Sequence, residues 1–350
     1  MKLRIRLATT AAMLVLAVPQ AAGAETLFDA VSAALAGNPQ LDAQRVQTDI
    51  AREGLEQARS QGRTTVNLGV NAGYEYVDTN SVFAFNLGDR PLASAQIQAV
   101  KPIYTGGRVQ AGIRQANAGI DAAESQYDAA LQDLILQVVT AYVDVRADRD
   151  AVKIRENNVE VAGEQVRAAS DRFDAGVVTR TDVSLSQARF EGARAALAGA
   201  EAALEASTAN YEFLTGMRPD VLVPPPPVPP LPASLEDAVQ AALDGNPDLI
   251  AARHSERAAT EAIEVARAQN RPQVSIVGTA AVQETYGDDF DQRDTSVAAL
   301  AQGTIPLLSG GLIDSQIRSA RLQRNQARRQ IDTIERSVRA QVARTQWDNC

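Results

Sequence analysis

The sequence predicts a mainly helical fold made of two tandem helix–strand–strand–helix repeats, with long coiled-coil helices and four strands. Three observations carry this prediction. A twenty-residue segment recurs 208 positions later. Inside each copy the hydrophobic period changes from helical to alternating and back. A row of small apolar residues then repeats every seven positions over a stretch longer than an ordinary globular helix.

Residues 1–24 come first. Lys2, Arg4 and Arg6 precede the apolar run Leu7–Val18, and Ala22-Gly23-Ala24 has the small-x-small form of a cleavage site. This order reads as a signal peptide, because the apolar run is too short to span a bilayer. Cleavage after Ala24 removes three positive charges and takes the formal charge from −9 to −12. An acidic exported chain argues against nucleic-acid partners, which require a basic footprint. Cys350 is the single cysteine, so no disulfide framework, thiol pair or lipidated processed N-terminus is expected. No later apolar stretch reaches about 20 residues, so membrane insertion would have to use β-strands.

The first repeat covers 25–218 and the second 234–350. Thr26–Arg45 returns as Ser234–Arg253 with 13 of 20 positions identical, including Gly-Asn-Pro. Pro102-Ile-Tyr-Thr-Gly-Gly107 returns as Pro306-Leu-Leu-Ser-Gly-Gly311, here offset by 204. Two ordered matches at nearly one offset indicate duplication, with the four-residue difference in a loop between them. The copies are joined at 219–233 by a segment containing Val223-Pro-Pro-Pro-Pro-Val-Pro-Pro-Leu-Pro232, an extended polyproline spacer rather than a helix.

Within each copy, 26–60 and 234–270 have helical spacing broken at Gly-Asn-Pro. A hairpin is expected at 64–104. Its first strand alternates Val66, Leu68, Val70, Ala72, Tyr74 and Tyr76 with Asn67, Gly69, Asn71, Gly73 and Glu75. The second strand, from about 92, sets Ala95, Ile97 and Ala99 against Ser94, Gln96 and Gln98. The second hairpin is expected at 273–307, with strands at about 273–285 and 295–305. Long helices follow at 107–175 and from 310 to 350. Ile113, Ile120, Tyr127, Leu134 and Ala141 mark the seam of the first, with Ala116, Ala123 and Ala130 between them. At about 1.5 Å per residue that helix is roughly 100 Å long. After a break, 182–215 resumes the seven-step with Phe190, Leu197, Leu204 and Tyr211 beside Ala193, Ala200, Ser207 and Leu214. Adding the repeat offset to Gly176 places a counterpart turn beyond residue 350. The second copy is therefore expected to stop within its long helix, as in a truncated product.

Four strands of this length can cross a bilayer but cannot close a barrel, so spanning requires oligomerisation. A soluble exported coiled-coil or adaptor protein carrying a small sheet fits the same pattern. No catalytic, metal or cofactor set is visible. His254 stands alone on a helical stretch and reads as a surface or packed residue, as does Trp347. Pro102 and Pro306 are expected to end strand pairing. Gly106-Gly107 and Gly310-Gly311 would then turn each strand into a rod. In the break at 174–183, Gly176 suits a tight interhelical turn, and Thr181 or Asp182 is the expected helix N-cap.

The Gly-Asn-Pro-x-Leu openings, the Pro-x-x-x-Gly-Gly exits and the hairpin Ala175-Gly-Val-Val-Thr-Arg-Thr-Asp-Val183, with the helix closing on Thr215-Gly216, resemble the TolC family of bacterial outer-membrane efflux proteins. The resemblance covers essentially the whole mature chain. It implies a homotrimer in which each chain gives four strands to a twelve-stranded transmembrane barrel, continued by helices as a periplasmic tube. It also implies an exit duct of a tripartite efflux or type I secretion system, located in the outer membrane and extending into the periplasm. The implied partners are a periplasmic adaptor and, through it, an inner-membrane transporter. By the same resemblance Ala175, Gly176 and Val177, with Thr179, Arg180 and Thr181 beside them, fall on the adaptor-docking turn. Asp182 falls on an acidic position that helps to hold the aperture closed. Asn67, Asn71, Glu75, Gln96 and Gln98 would face a wet lumen.

Overall fold

The structure, a computed structural model, describes residues 25–77, 88–227, 232, 234–286 and 292–347. The leader, Cys350, part of the proline segment, and the Glu75 and Trp347 side chains lie outside the described residues. In chain order the elements are α1 (Leu27–Gly37), α2 (Pro39–Ser60), β1 (Thr65–Val77), β2 (Gly88–Tyr104), α3 (Arg108–Asp174), α4 (Arg180–Thr215), α5 (Leu235–Gly245), α6 (Pro247–Ala268), β3 (Gln273–Thr285), β4 (Gln292–Thr304) and α7 (Leu312–Trp347).

The Gly-Asn-Pro breaks have a local cause. A residue before proline is pushed out of the helical region, and Asn38 and Asn246 sit at ψ 118 and 117. Each Asn then serves a helix end. Asn246 Oδ1 accepts from the Leu249 amide at 2.9 Å, and buried Asn38 donates to the Leu214 carbonyl at 3.2 Å.

The chain forms two compact units, each drawn from separate stretches of sequence. The first takes residues up to Asn38 and Leu134–Val228. Its core sets Ala30 and Ala34 of α1 with Val138, Tyr142, Val145, Tyr211 and Leu214. The Tyr142 and Tyr211 rings lie 6.5 Å apart, and both side chains are fully buried. Buried hydroxyls require partners. Tyr211 donates to the Glu25 carboxylate at 2.5 Å, and Tyr142 lies 2.6 Å from the Val223 carbonyl. Burial first, and then the Glu25 contact, push the Tyr211 phenol well above its usual range.

The second unit takes Pro39–Asp133 and the residues from Pro229 onward. It holds an antiparallel sheet in the order β1-β2-β3-β4, so β2 and β3 join the two repeats edge to edge. Helices α5, α6 and α7 pack around Val239, Leu243, Leu249 and Val338. A smaller cluster of Ile263, Ala266 and Ala320 lies between α6 and α7.

The strands run further than alternation alone suggests, because backbone pairing holds the turn-type residues at their ends. β2 begins at Gly88, paired with Val77, and β4 begins at Gln292, paired with Thr285. Pro102 does not end strand pairing. The β1 ladder stops at Val100, but Pro102 pairs with Ser275 and Tyr104 with Val274 across a bulge. With β1 gone, Pro102 has a strand on one side only, where its missing N–H is tolerated. Pro306 does lie beyond the last β4 pair at Thr304.

Helix α3 also departs from a single seam. Ala123, Leu134 and Ala141 are buried, but so are Ala111, Ala118, Ala122 and Ala129, a second alanine stripe. The early part of α3 meets helices on two sides, pairing Glu124 with Arg52 of α2 and Arg114 with Glu261 of α6. On α4, Tyr211 and Leu214 are buried and the earlier seam positions half-buried.

Candidate functional site: the sheet faces, the junctions and the hairpin turn

The register places Asn67 opposite Gln98 and Gln98 opposite Thr279, then Asn71 opposite Ser94 and Ser94 opposite Gln283. Directly paired residues share a face, so this face is polar. The other carries Val66, Leu68, Val70, Tyr74, Ile97, Ile276 and Val297, with Tyr74 86% and Val297 81% exposed. Charge borders the apolar band at both ends. At one rim Lys101 donates to the Gly62 carbonyl at 3.1 Å, and at the other Arg293 pairs with Glu284 at 3.3 Å. From Ile276 to Glu284, at about 3.3 Å per residue, the band runs roughly 26 Å along the strand, or roughly 20 Å of height at a barrel strand's tilt of about 40°, near the apolar band of outer-membrane barrels. β1 and β4 each present an unpaired ladder edge within this chain. Among the described residues no helix is long and apolar enough to cross a membrane.

The two strand-to-helix junctions use positive φ at both glycines: 64 and 89 at Gly106 and Gly107, 57 and 81 at Gly310 and Gly311. Their surroundings differ. A Cβ on Gly106 would stand 2.8 Å from both the Ala268 carbonyl oxygen and the Arg271 Cβ, whereas one on Gly310 meets nothing within 4 Å. Arg271 donates to the Gly106 carbonyl at 2.9 Å and pairs with Glu264 at 3.6 Å. Sequence reasoning missed this clamp, although Arg63 and Arg271 occupy matching repeat positions, as do Glu56 and Glu264.

At the hairpin, α3 closes with a complete Schellman motif. The Gly176 amide donates to Phe173 O at 2.9 Å and the Val177 amide to Arg172 O at 2.8 Å. Gly176 takes the required left-handed conformation at φ 73. The N-cap of α4 is Thr179, not Thr181 or Asp182. The Asp182 carboxylate accepts from the Thr179 amide at 2.8 Å and its hydroxyl at 2.7 Å, while the Thr179 oxygen accepts from the Asp182 amide at 3.4 Å. This capping box sets the cap three residues before the acid. The Thr179 hydroxyl, and then its amide, hold the Asp182 carboxyl below the usual aspartate range. Asp29 is held the same way by Thr26. Ala175, Gly176, Val177, Arg180 and Thr181 are all exposed. Arg180 makes no ion pair found among the described residues. His254 is half-buried, with Nδ1 3.9 Å from Asp121. Among the described residues no group of three His, Cys, Asp or Glu could hold a metal ion.

A sheet that is apolar on one face and polar on the other, open at both edges and joined to helices too polar for lipid, defines a protein that enters a membrane by strands. The family model for outer membrane efflux protein matches residues 30–217 and 238–348, and the chain belongs to that family. It is an outer-membrane channel protein. It is similar to the outer membrane efflux protein BepC of Brucella suis biovar 1 (strain 1330), 29% identical over 325 residues, 93% of this chain and 70% of the relative. It is 26% identical over 348 residues to the outer membrane protein TolC of Escherichia coli (strain K12), covering 93% of this chain and 68% of that one. Among solved structures, the Campylobacter jejuni CmeC outer membrane channel superposes with a TM-score of 0.74 at 17% identity, over 92% of this chain and 72% of that one. That likeness is one of fold.

Proposed function

We propose that three copies of this chain close their sheets into one twelve-stranded barrel and form the passive exit duct of a tripartite efflux or type I secretion system for small molecules or proteins. The observation that carries this reading is the sheet with an exposed apolar band, a polar reverse face and two open edges. Open edges cannot be left in lipid. Strand directions alternate through the sheet, so β4 of one copy beside β1 of the next continues the antiparallel order. The apolar face then meets lipid, and Asn67, Asn71, Gln96 and Gln98 line the lumen. The exposed turn at Ala175, Gly176, Val177, Thr179, Arg180, Thr181 and Asp182 docks a periplasmic adaptor, which links the duct to an inner-membrane transporter. The junctions at Pro102, Gly106 and Gly107, and at Pro306, Gly310 and Gly311, redirect strands into helices.

Membrane fractionation followed by native mass spectrometry of detergent extracts tests this reading, since Lys101 and Lys153 are the only lysines beyond the leader and give an amine cross-linker little to join. Trimers in the outer-membrane fraction are expected, and purely soluble monomer would overturn it. Gly176→Trp should weaken adaptor cross-linking and leave trimers intact; unchanged cross-linking would reject the docking role.

A further inference from the structure

Inside the chain, the first copy's rod and junction are met by the second copy's helix α6. Arg114 pairs with Glu261 at 2.9 Å, and Arg271 donates to the Gly106 carbonyl at 2.9 Å. The repeat offsets carry Arg114 onto Arg318, Glu261 onto Glu53, Gly106 onto Gly310 and Arg271 onto Arg63, and all four residue types are kept. The second set lacks the first set's contacts. Glu53 and Arg318 are exposed and make no ion pair found among the described residues, and Gly310 stands open. Arg63 is already held as Arg271 is: it pairs with Glu56 at 2.9 Å, as Arg271 pairs with Glu264 at 3.6 Å.

The sheet says what completes this second set. β2 beside β3 brings α3 and Gly106 of the first repeat against α6 and Arg271 of the second. β4 beside β1 of another copy would repeat that step between chains, bringing α7 and Gly310 against the neighbour's α2 and Arg63. We infer that Arg318 of one copy pairs with Glu53 of the neighbouring copy, and that the neighbour's Arg63 donates to the Gly310 carbonyl. The inference rests on the assembly proposed above. The two interfaces are related but not identical, because the in-chain Asp121–Arg257 pair maps onto Asn325 and Asp49, which cannot form one. An exposed ion pair adds little to stability, so its role is to set the register in which copies meet.

Cysteines placed by Glu53→Cys and Arg318→Cys, in a Cys350→Ser background, test this with a short bis-methanethiosulfonate linker. Covalent dimers and trimers are expected. Arg114→Cys with Glu261→Cys should link within one chain under the same conditions, gaining the spacer's mass and forming no dimer, which calibrates the linker's reach. Native mass spectrometry of detergent extracts separates the pairing from the assembly. Trimers whose 53/318 pair stays unlinked would overturn the pairing and leave the assembly standing. Monomers alone would overturn both. As a second measurement, Glu53→Arg should lower the trimer fraction at limiting protein about two- to fivefold. Adding Arg318→Glu should restore it, and no restoration would oppose the pairing.

Discussion

The two strand-to-helix junctions of this chain have the same motif and nearly the same backbone, yet they stand in different company. Gly106 is buried beneath Ala268 and Arg271, while Gly310 is exposed with open space where a side chain would go. The shared backbone follows from residues within one turn of each other: a Gly-Gly pair takes positive φ that other residues enter only with strain. The difference comes from α6, more than 160 residues away in the chain for Gly106. One motif thus performs one local task twice, and its neighbours depend on which repeat follows it. Among the described residues the first repeat is followed by α6 of the second.

A methyl group at each junction should separate the two most strongly. Gly106→Ala combines left-handed strain of roughly 1–2 kcal/mol with a clash against backbone that cannot swing aside, so a loss of about 2 kcal/mol or more is expected. Gly310→Ala in isolated chains should lose only the strain, roughly 1–2 kcal/mol. Urea unfolding followed by circular dichroism measures both, and equal losses would mean that the two junctions are equally packed. A smaller effect is expected at the clamps. Arg271→Ala should cost about 1 kcal/mol for a half-exposed hydrogen bond. Arg63→Ala should leave the monomer's stability nearly unchanged and lower the trimer fraction, read by the same unfolding curve and by size-exclusion chromatography.

The hairpin turn provides a control in which every contact is local. Thr179→Ala should cost about 1 kcal/mol of α4 stability and leave both junctions unaffected. The acid dependence follows from the sign of the carboxylate shift. Asp182 and Asp29 have lowered values in the folded chain, so their contribution is complete above the ordinary aspartate value of about 3.9. It is lost as pH falls through the depressed folded values. Carbonyl chemical shifts should titrate below the free-aspartate midpoint. In Thr179→Ala the Asp182 midpoint should move up towards it while Asp29 stays where it was.

Much of the architecture is legible in the sequence. The Gly-Asn-Pro breaks, the strand periods, the long α3 and the glycine turns are read within a few residues, because they depend on φ, ψ and side-chain alternation. The exceptions have physical reasons. The α4 cap was misplaced because Thr179, Thr181 and Asp182 all have capping chemistry. Only the reach of the Asp182 carboxylate back to Thr179 selects among them. Pro102 was misread as a stop because a proline ends pairing only on the side where its N–H is needed. Here β3 continues past it and β1 does not. The second alanine stripe on α3 was missed because a heptad search finds one seam, and this helix has partners on two sides.

The duplication, the number and period of the strands and the glycines at each strand exit follow from the sequence alone. Each of these acts through sterics or hydrogen bonds over less than one helical turn, or through a pattern that repeats along the chain. Contacts between distant segments set Arg271 on the Gly106 carbonyl, place the Tyr142 hydroxyl 2.9 Å from the Glu25 carbonyl and the Tyr211 hydroxyl on the Glu25 carboxylate, and leave β1 and β4 as edges. Those depend on which distant segments meet: Arg63 and Arg271 each hold a glutamate of their own repeat, but among the described residues Arg271 alone also reaches a glycine carbonyl of the other repeat.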